Sequence, residues 1–357
     1  IGTGPGQVFS LFLGTPSGST TQLTDEGAIL GFGATHALRW NGAIACVEPV
    51  GGLGDCVPAQ SAVVDAGGIE FAVPLNALGA IEAGDMVLAK FARGSTVVPV
   101  AGPMGFQVPD ISNITVFLEV EDPAGDDHGP GSYTYPTDPV FISGSYDLTR
   151  FQVGTEDDDL VFVFEVVAPI QNPWGSPRNL SVQTFDVYID KDPGAATGSR
   201  LLIDGRNGSL EAANGWEFGL TIEGWFPALY LADRQGGVEE TTPTFDVTVF
   251  GEKGKVVARV PLALFGDGDP TTWGYAAVVM SQEGYPSTGV RRIRDVGTVG
   301  EQWLIGGGAD DVNHTRIIDV AFAGEQEPLL SSYPSVPTGS IDDLTADDYP
   351  LVPLVIP

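Results

Sequence analysis

Short apolar runs, broken again and again by glycine and proline, set the tightest limit on what this chain can fold into. Gly 48 and Pro 27 make up about a fifth of its 357 residues, a level that suits many turns between short strands. Helical periodicity is hard to find. In residues 182–189, Phe185, Val187 and Ile189 share one face while Thr184, Asp186 and Tyr188 share the other, as in a half-buried strand. Similar runs occur near 8–13, 69–79, 86–91, 116–120, 160–166, 216–222, 228–232, 244–250, 256–261, 273–280 and 316–321. Strands this short and this closely spaced predict β-sandwiches. The expected fold is all-β: two tandem antiparallel β-sandwich domains of jelly-roll type, the first reduced.

Residues 71–79 (Phe-Ala-Val-Pro-Leu-Asn-Ala-Leu-Gly) match residues 258–266 (Ala-Arg-Val-Pro-Leu-Ala-Leu-Phe-Gly). An apolar strand follows each copy, which points to duplication with an incomplete first copy. The predicted organisation is a smaller sandwich over 1–110, a larger one over 111–330, and a Pro-rich acidic tail over 331–357 with an apolar end.

A net charge of −31 argues against nucleic acid, whose binding depends on Lys and Arg neutralising phosphates. It suits cation binding and solubility in salt. No apolar run approaches the length of a bilayer span. Ile1 in place of Met suggests a processed or excised chain. Cys46 and Cys56, the only cysteines, would pair in an oxidising compartment, a short loop closure of roughly 2–3 kcal/mol in the chain-entropy model. Asn113, Asn179, Asn207 and Asn313 open N-x-[ST] sequons, as in a secreted glycoprotein.

Residues 122–136 (Asp-Pro-Ala-Gly-Asp-Asp-His-Gly-Pro-Gly-Ser-Tyr-Thr-Tyr-Pro) gather three carboxylates, three glycines and three prolines directly after a strand. Such a segment is neither helix nor regular strand. It can aim Asp122, Asp126, Asp127 and bare carbonyls at one point, as hard cations require, or it can be a solvated acidic loop. It has no EF-hand spacing. Residues 190–194 (Asp-Lys-Asp-Pro-Gly) read as an Asp-capped turn before a second cation loop.

Together with residues 172–177 (Asn-Pro-Trp-Gly-Ser-Pro), 187–190 (Val-Tyr-Ile-Asp) and 306–319 (Gly-Gly-Gly-Ala-Asp-Asp-Val-Asn-His-Thr-Arg-Ile-Ile-Asp), this loop resembles the C-terminal module of glucodextranase and of some amylopullulanases. That module is a DOMON-like β-sandwich, and the resemblance covers about residues 112–330. Residues 65–110 resemble the end of a related upstream sandwich. The resemblance implies an extracellular, non-catalytic module that binds carbohydrate or holds a protein at the cell surface, with structural Ca²⁺. It is similar in fold to family-nine carbohydrate-binding modules, which carry calcium beside the first strand. Carried over, the ligands are Asp122, Asp126, Asp127 and Asp147. No catalytic domain accompanies the module, so the attached hydrolase activity does not transfer.

A sugar platform needs exposed aromatic faces. Trp174, in a loop between Asn-Pro and Gly-Ser-Pro, is the first candidate, followed by Trp225 and Tyr230. With so many acids the sequence singles out no catalytic carboxylate pair, and it contains no G-x-S-x-G, H-E-x-x-H or P-loop. His36, His128 and His314 are isolated. Arg291, Arg292 and Arg294 form the one basic cluster, expected to pair with carboxylates. These features predict a secreted, calcium-stabilised cell-surface protein that binds carbohydrate or cell-wall glycan and is not an enzyme, at most an accessory module excised from a glycoside hydrolase. The alternative is a structural subunit of a filament or surface layer. Its self-assembly would run through the C-terminal tail, residues 351–356 adding a strand to a neighbour's sheet.

Overall fold

The computed structural model describes residues 9–14, 34–40, 45–49, 57–58, 61–64, 69–72, 86–93, 96–98 and 104–107. From residue 114 onward it describes all but 233–236, 242–243 and 285–291. The chain divides into two compact units, Ile1–Ser112 and Asn113–Pro357.

In the first unit a seven-stranded antiparallel sheet contains β1 (Phe9–Gly14), β2 (Ala34–Trp40), β3 (Ala45–Pro49), β4 (Val57–Pro58), β7 (Met86–Arg93), β8 (Thr96–Val98) and β9 (Met104–Gln107). β1 lies between β2 and β7. β5 (Ser61–Val64) and β6 (Ile69–Ala72) form a separate hairpin. Leu13, Val87 and Ala89 supply a small buried cluster. Of the first repeat copy only residues 71–72 are described; the remainder lies outside the described residues.

The second unit is a sandwich. One sheet runs β10 (Thr115–Glu121), β11 (Leu148–Glu156), β12 (Asp159–Val166), β18 (Lys255–Pro261), β17 (Asp246–Phe250). The other runs β16 (Val238–Thr241), β15 (Ala228–Ala232), β14 (Phe218–Ile222), β13 (Gln183–Asp190), β19 (Gly274–Ser281), β20 (Asp319–Val320). Alternation sends Phe151, Phe162, Phe164 and Val256 inward from the first sheet, and Phe185, Val187, Leu220 and Val279 inward from the second. Phe164 meets Phe185 across the interface with ring centroids 4.7 Å apart. Among the described residues the single α-helix, α1 (Gln326–Leu330), is five residues long, so the unit is all-β as the turn-rich sequence predicts.

Three features depart from the sequence pattern. β11 shows no clean alternation because a bulge between Leu148 and Arg150 interrupts it, and its buried positions are Leu148, Phe151, Val153 and Gly154. β13 is buried on both faces. Its outer side carries a third layer built from Leu202, Leu210, Trp216, Ile317, Leu330 and Val352. On that face Asp186 and Tyr188 are satisfied by buried partners, while the Thr184 hydroxyl has none. The fully buried Arg206 guanidinium donates to Asp186 at 2.7 and 3.3 Å, and Thr221 and Tyr188 hydroxyls donate to the same carboxylate at 2.8 and 2.9 Å.

The third departure is the tail, which belongs to the second unit. Val355 exchanges two 2.8 Å backbone hydrogen bonds with Tyr275 on β19, and Leu351 bridges Ser209. Buried Asn313 donates to the carbonyls of Pro334 and Asp348 and accepts from Val336 N–H. The apolar end thus pairs within its own chain, as a last packed strand.

Candidate functional site

The acidic segment leaves the end of β10 and folds back over the sandwich edge. Asp122 N–H donates to Thr149 O at 3.0 Å. The glycine run at 306–308 explains how the loop is held. Thr134 and Gly306 exchange two 3.0 Å backbone bonds. Gly307 has φ +83°, and a Cβ there would lie 1.9 Å from Ser132 O, so only glycine lets the strands approach this closely.

Asp122, Asp126 and Asp319 come together with carboxylate oxygens within 4.8 Å of one another. Asp319, from β20, is a member that the loop's composition could not reveal, because it lies almost two hundred residues downstream. Its oxygens accept from Leu148 N–H and Val320 N–H, both at 2.7 Å. Asp122 Oδ1 accepts from Phe322 N–H at 2.8 Å. Asp122 Oδ2 and Asp126 Oδ1 are buried and receive no donor. Burial first, then repulsion from Asp126 and Asp147, pushes the Asp122 carboxyl up to about 8. Burial and the neighbouring Asp147 and Asp127 push Asp126 up to about 6. Asp319 is raised well above the ordinary range by burial and by Asp122. Three carboxylates with two bare buried oxygens can hold a hard cation or retain protons.

Asp127 and Asp147 are engaged otherwise. Asp127 accepts from the Tyr135 hydroxyl, and both Asp147 oxygens accept from Gly125 N–H at 2.9 Å. They brace the loop instead of joining the cluster. Gln326 of α1 completes the clamp, donating to Asp126 O and accepting from Val320 N–H at 3.0 Å. Asp190, Asp192 and Glu217 form a second acidic group. Thr197, Lys191 N–H and Gly215 N–H already serve its oxygens.

The loops at 172–181, 223–226 and 294–304 carry exposed aromatics. Trp174 is 37 % and Trp303 44 % exposed. Their rings lie 6.1 Å apart, and each meets Phe141 edge-on at about the same separation. Behind them buried Arg294 places its guanidinium 4.9 Å from the Phe141 ring and donates to Trp303 O at 2.8 Å and Glu283 at 2.6 Å. Asn172 locks the Trp174 loop by bonding Ser176 at both backbone O and N, at 3.0 and 2.7 Å. The two exposed indoles are therefore held in place against the buried Phe141 ring. Trp225 is half-buried beside exposed Phe226. Tyr230 is not available as a sugar contact: alternation on β15 turns it into the third layer, where it is buried. Trp216 and Trp273 are core.

Cys46 on β3 pairs in register with Pro58; Cys56 and Asn113 lie outside the described residues. Asn179 is exposed. Asn207 and Asn313 are buried, with their amide groups donating to backbone carbonyls. Asn313 spends both amide hydrogens on carbonyls, which leaves none for a glycan, whereas Asn207 spends one, on His314 O.

Among the described residues no helix is long and apolar enough to cross a membrane. No curated protein matches the chain. The family model described as the C-terminal binding-module, SLH-like, of glucodextranase matches residues 117–342, more than half of the chain and nearly all of the sandwich built above. The chain therefore belongs to the family of glucodextranase C-terminal, SLH-like binding modules.

Proposed function

We propose that this protein is a secreted, non-catalytic cell-surface module that binds carbohydrate or cell-wall glycan on the exposed Trp174 and Trp303 indoles. The observation that carries this is the exposure of two indoles fixed by a buried arginine and a braced loop. A binding-module family supports the non-catalytic role. Covering about 60 Å² of indole face at about 25 cal/mol per Å² is worth about 1.5 kcal/mol, or about tenfold in affinity. Electrophoresis through gels containing neutral α-glucans, β-glucans or solubilised wall polymer tests it. Retardation by at least one polymer, reduced in Trp174→Ala and in Trp303→Ala, is the expected result. Equal mobility in every gel refutes it.

Ca²⁺ fits the same proposal as a structural ion at Asp122, Asp126 and Asp319. The bare oxygens of Asp122 and Asp126 are the fit. A divalent cation there would supply the positive charge that these buried carboxylates lack and would tie β10 to β20. Secretion agrees with a Cys46–Cys56 disulfide and with glycan on Asn179.

A further inference from the structure

We infer that the turn 223–226, with the arginines flanking it, is an acidic-sugar subsite, and that the glycan bound carries carboxylates of the hexuronate type. This rests on the carbohydrate-binding function proposed above and specifies its ligand.

The turn joins β14 to β15. Glu223 is buried, and its carboxylate accepts from Trp225 N–H at 3.1 Å, Phe226 N–H at 2.7 Å and Arg292 Nε at 3.1 Å. Those bonds fix Phe226 outward at 64 % exposure. The Arg292 guanidinium lies 4.7 Å from the Phe226 ring centre and 5.9 Å from that of Trp225. Arg178 reaches the same turn from the other side, donating to Trp225 O at 3.2 Å. A Cβ on Gly224 would fall 1.7 Å from Leu180 O, so the turn is seated directly on the loop that carries Trp174.

Charge pairing distinguishes Arg178 from the other described arginines of the unit. Arg150, Arg200, Arg206, Arg259, Arg294 and Arg316 each hold a carboxylate. Arg178 has none among the described residues. Arg292 is committed to Glu223 only through Nε, which leaves its terminal nitrogens toward the exposed ring. In a chain of net charge −31, an anionic polymer is repelled by most of the surface. Here one guanidinium lies over the exposed Phe226 ring and a second holds the carbonyl of the adjoining Trp225. Guanidinium matches a planar carboxylate bidentately, and the ring takes the apolar face of the sugar.

The test compares binding of three soluble probes by calorimetry: an oligogalacturonate, its methyl ester, which keeps the backbone but removes the charge, and dextran sulfate. A charge-assisted contact predicts that the free acid binds about tenfold or more tightly than the ester. Arg178→Gln should reduce that preference several-fold, and Arg292→Lys should weaken it further by removing the bidentate geometry, each with an unchanged melting temperature because the lysine keeps a cation beside Glu223. Equal binding of acid and ester overturns the subsite, and neutral-glycan binding that still depends on Trp174 would show that the platform stands without it. Dextran sulfate binding as tightly as the free acid overturns the carboxylate assignment. A folded protein that binds none of these probes and no neutral glycan removes both the subsite and the platform.

Discussion

Replacing Arg206 by methionine tests the third layer over β13. The change keeps most of the side-chain volume, so little cavity forms, but it strips Asp186 of its counter-ion. Two guanidinium bonds to Asp186, at 2.7 and 3.3 Å, and one to Thr221 at 3.1 Å are lost. Asp186 retains only the hydroxyls of Thr221 and Tyr188 and remains fully buried. Breaking a buried ion pair from one side costs about 3–5 kcal/mol, chiefly because a charge is left without compensation. Removing both ends, in Asp186→Leu with Arg206→Met, should restore most of that stability, a coupling of about 2–3 kcal/mol. Urea unfolding followed by tryptophan fluorescence measures the cycle, since Trp216 stacks edge-on against Tyr188 at 5.5 Å within the same layer. A single-variant cost below about 1 kcal/mol, or strict additivity, would mean that water reaches this face and that the layer is not closed.

Ca²⁺ at about one hundred times its dissociation constant should raise stability by about 2.7 kcal/mol. Asp319→Asn should remove most of the gain, as read by calorimetry with and without chelator. The sign of the pH dependence follows from Asp122. Without cation the folded state keeps that proton to about pH 8, while the unfolded chain releases it near pH 4. Cation-free stability should therefore fall as pH rises across that window, and saturating Ca²⁺ should flatten the decline. Deleting residues 349–357 removes buried Val352 from the third layer and breaks the Tyr275–Val355 pair. The expected outcome is a lower melting temperature with no change in oligomeric state by light scattering; an unchanged melting temperature with lost self-association would support the filament alternative. Mass spectrometry of secreted protein should find Cys46 linked to Cys56, and Asn313 unmodified.

Most of the strand positions of the sandwich are legible in the sequence because most strands carry their own apolar run. Residues 182–189 show Phe185, Val187 and Ile189 on one face, and those residues do form the core. The outer face could not be read as buried, because what neutralises Asp186 is Arg206, from a loop beyond the strand's own pattern. β11 was hidden by its bulge for a similar local reason. At the acidic loop, composition located Asp122 and Asp126, but which carboxylates converge depends on the return of β20, which brings in Asp319 and leaves Asp127 and Asp147 to hydrogen bonds. Trp174 stood out by its loop setting. Trp303 joins it only through tertiary packing on Phe141, and burial of Tyr230 follows from a layer that no local pattern announces.

The most direct test is a depletion isotherm. Wild-type protein and a Trp174→Ala, Trp303→Ala double variant, matched in melting temperature, are titrated onto the polysaccharide that retards the wild type most strongly. Both indoles are surface groups, so the variant should fold normally and bind at least about tenfold more weakly. An unchanged isotherm would place the glycan elsewhere and contradict the account.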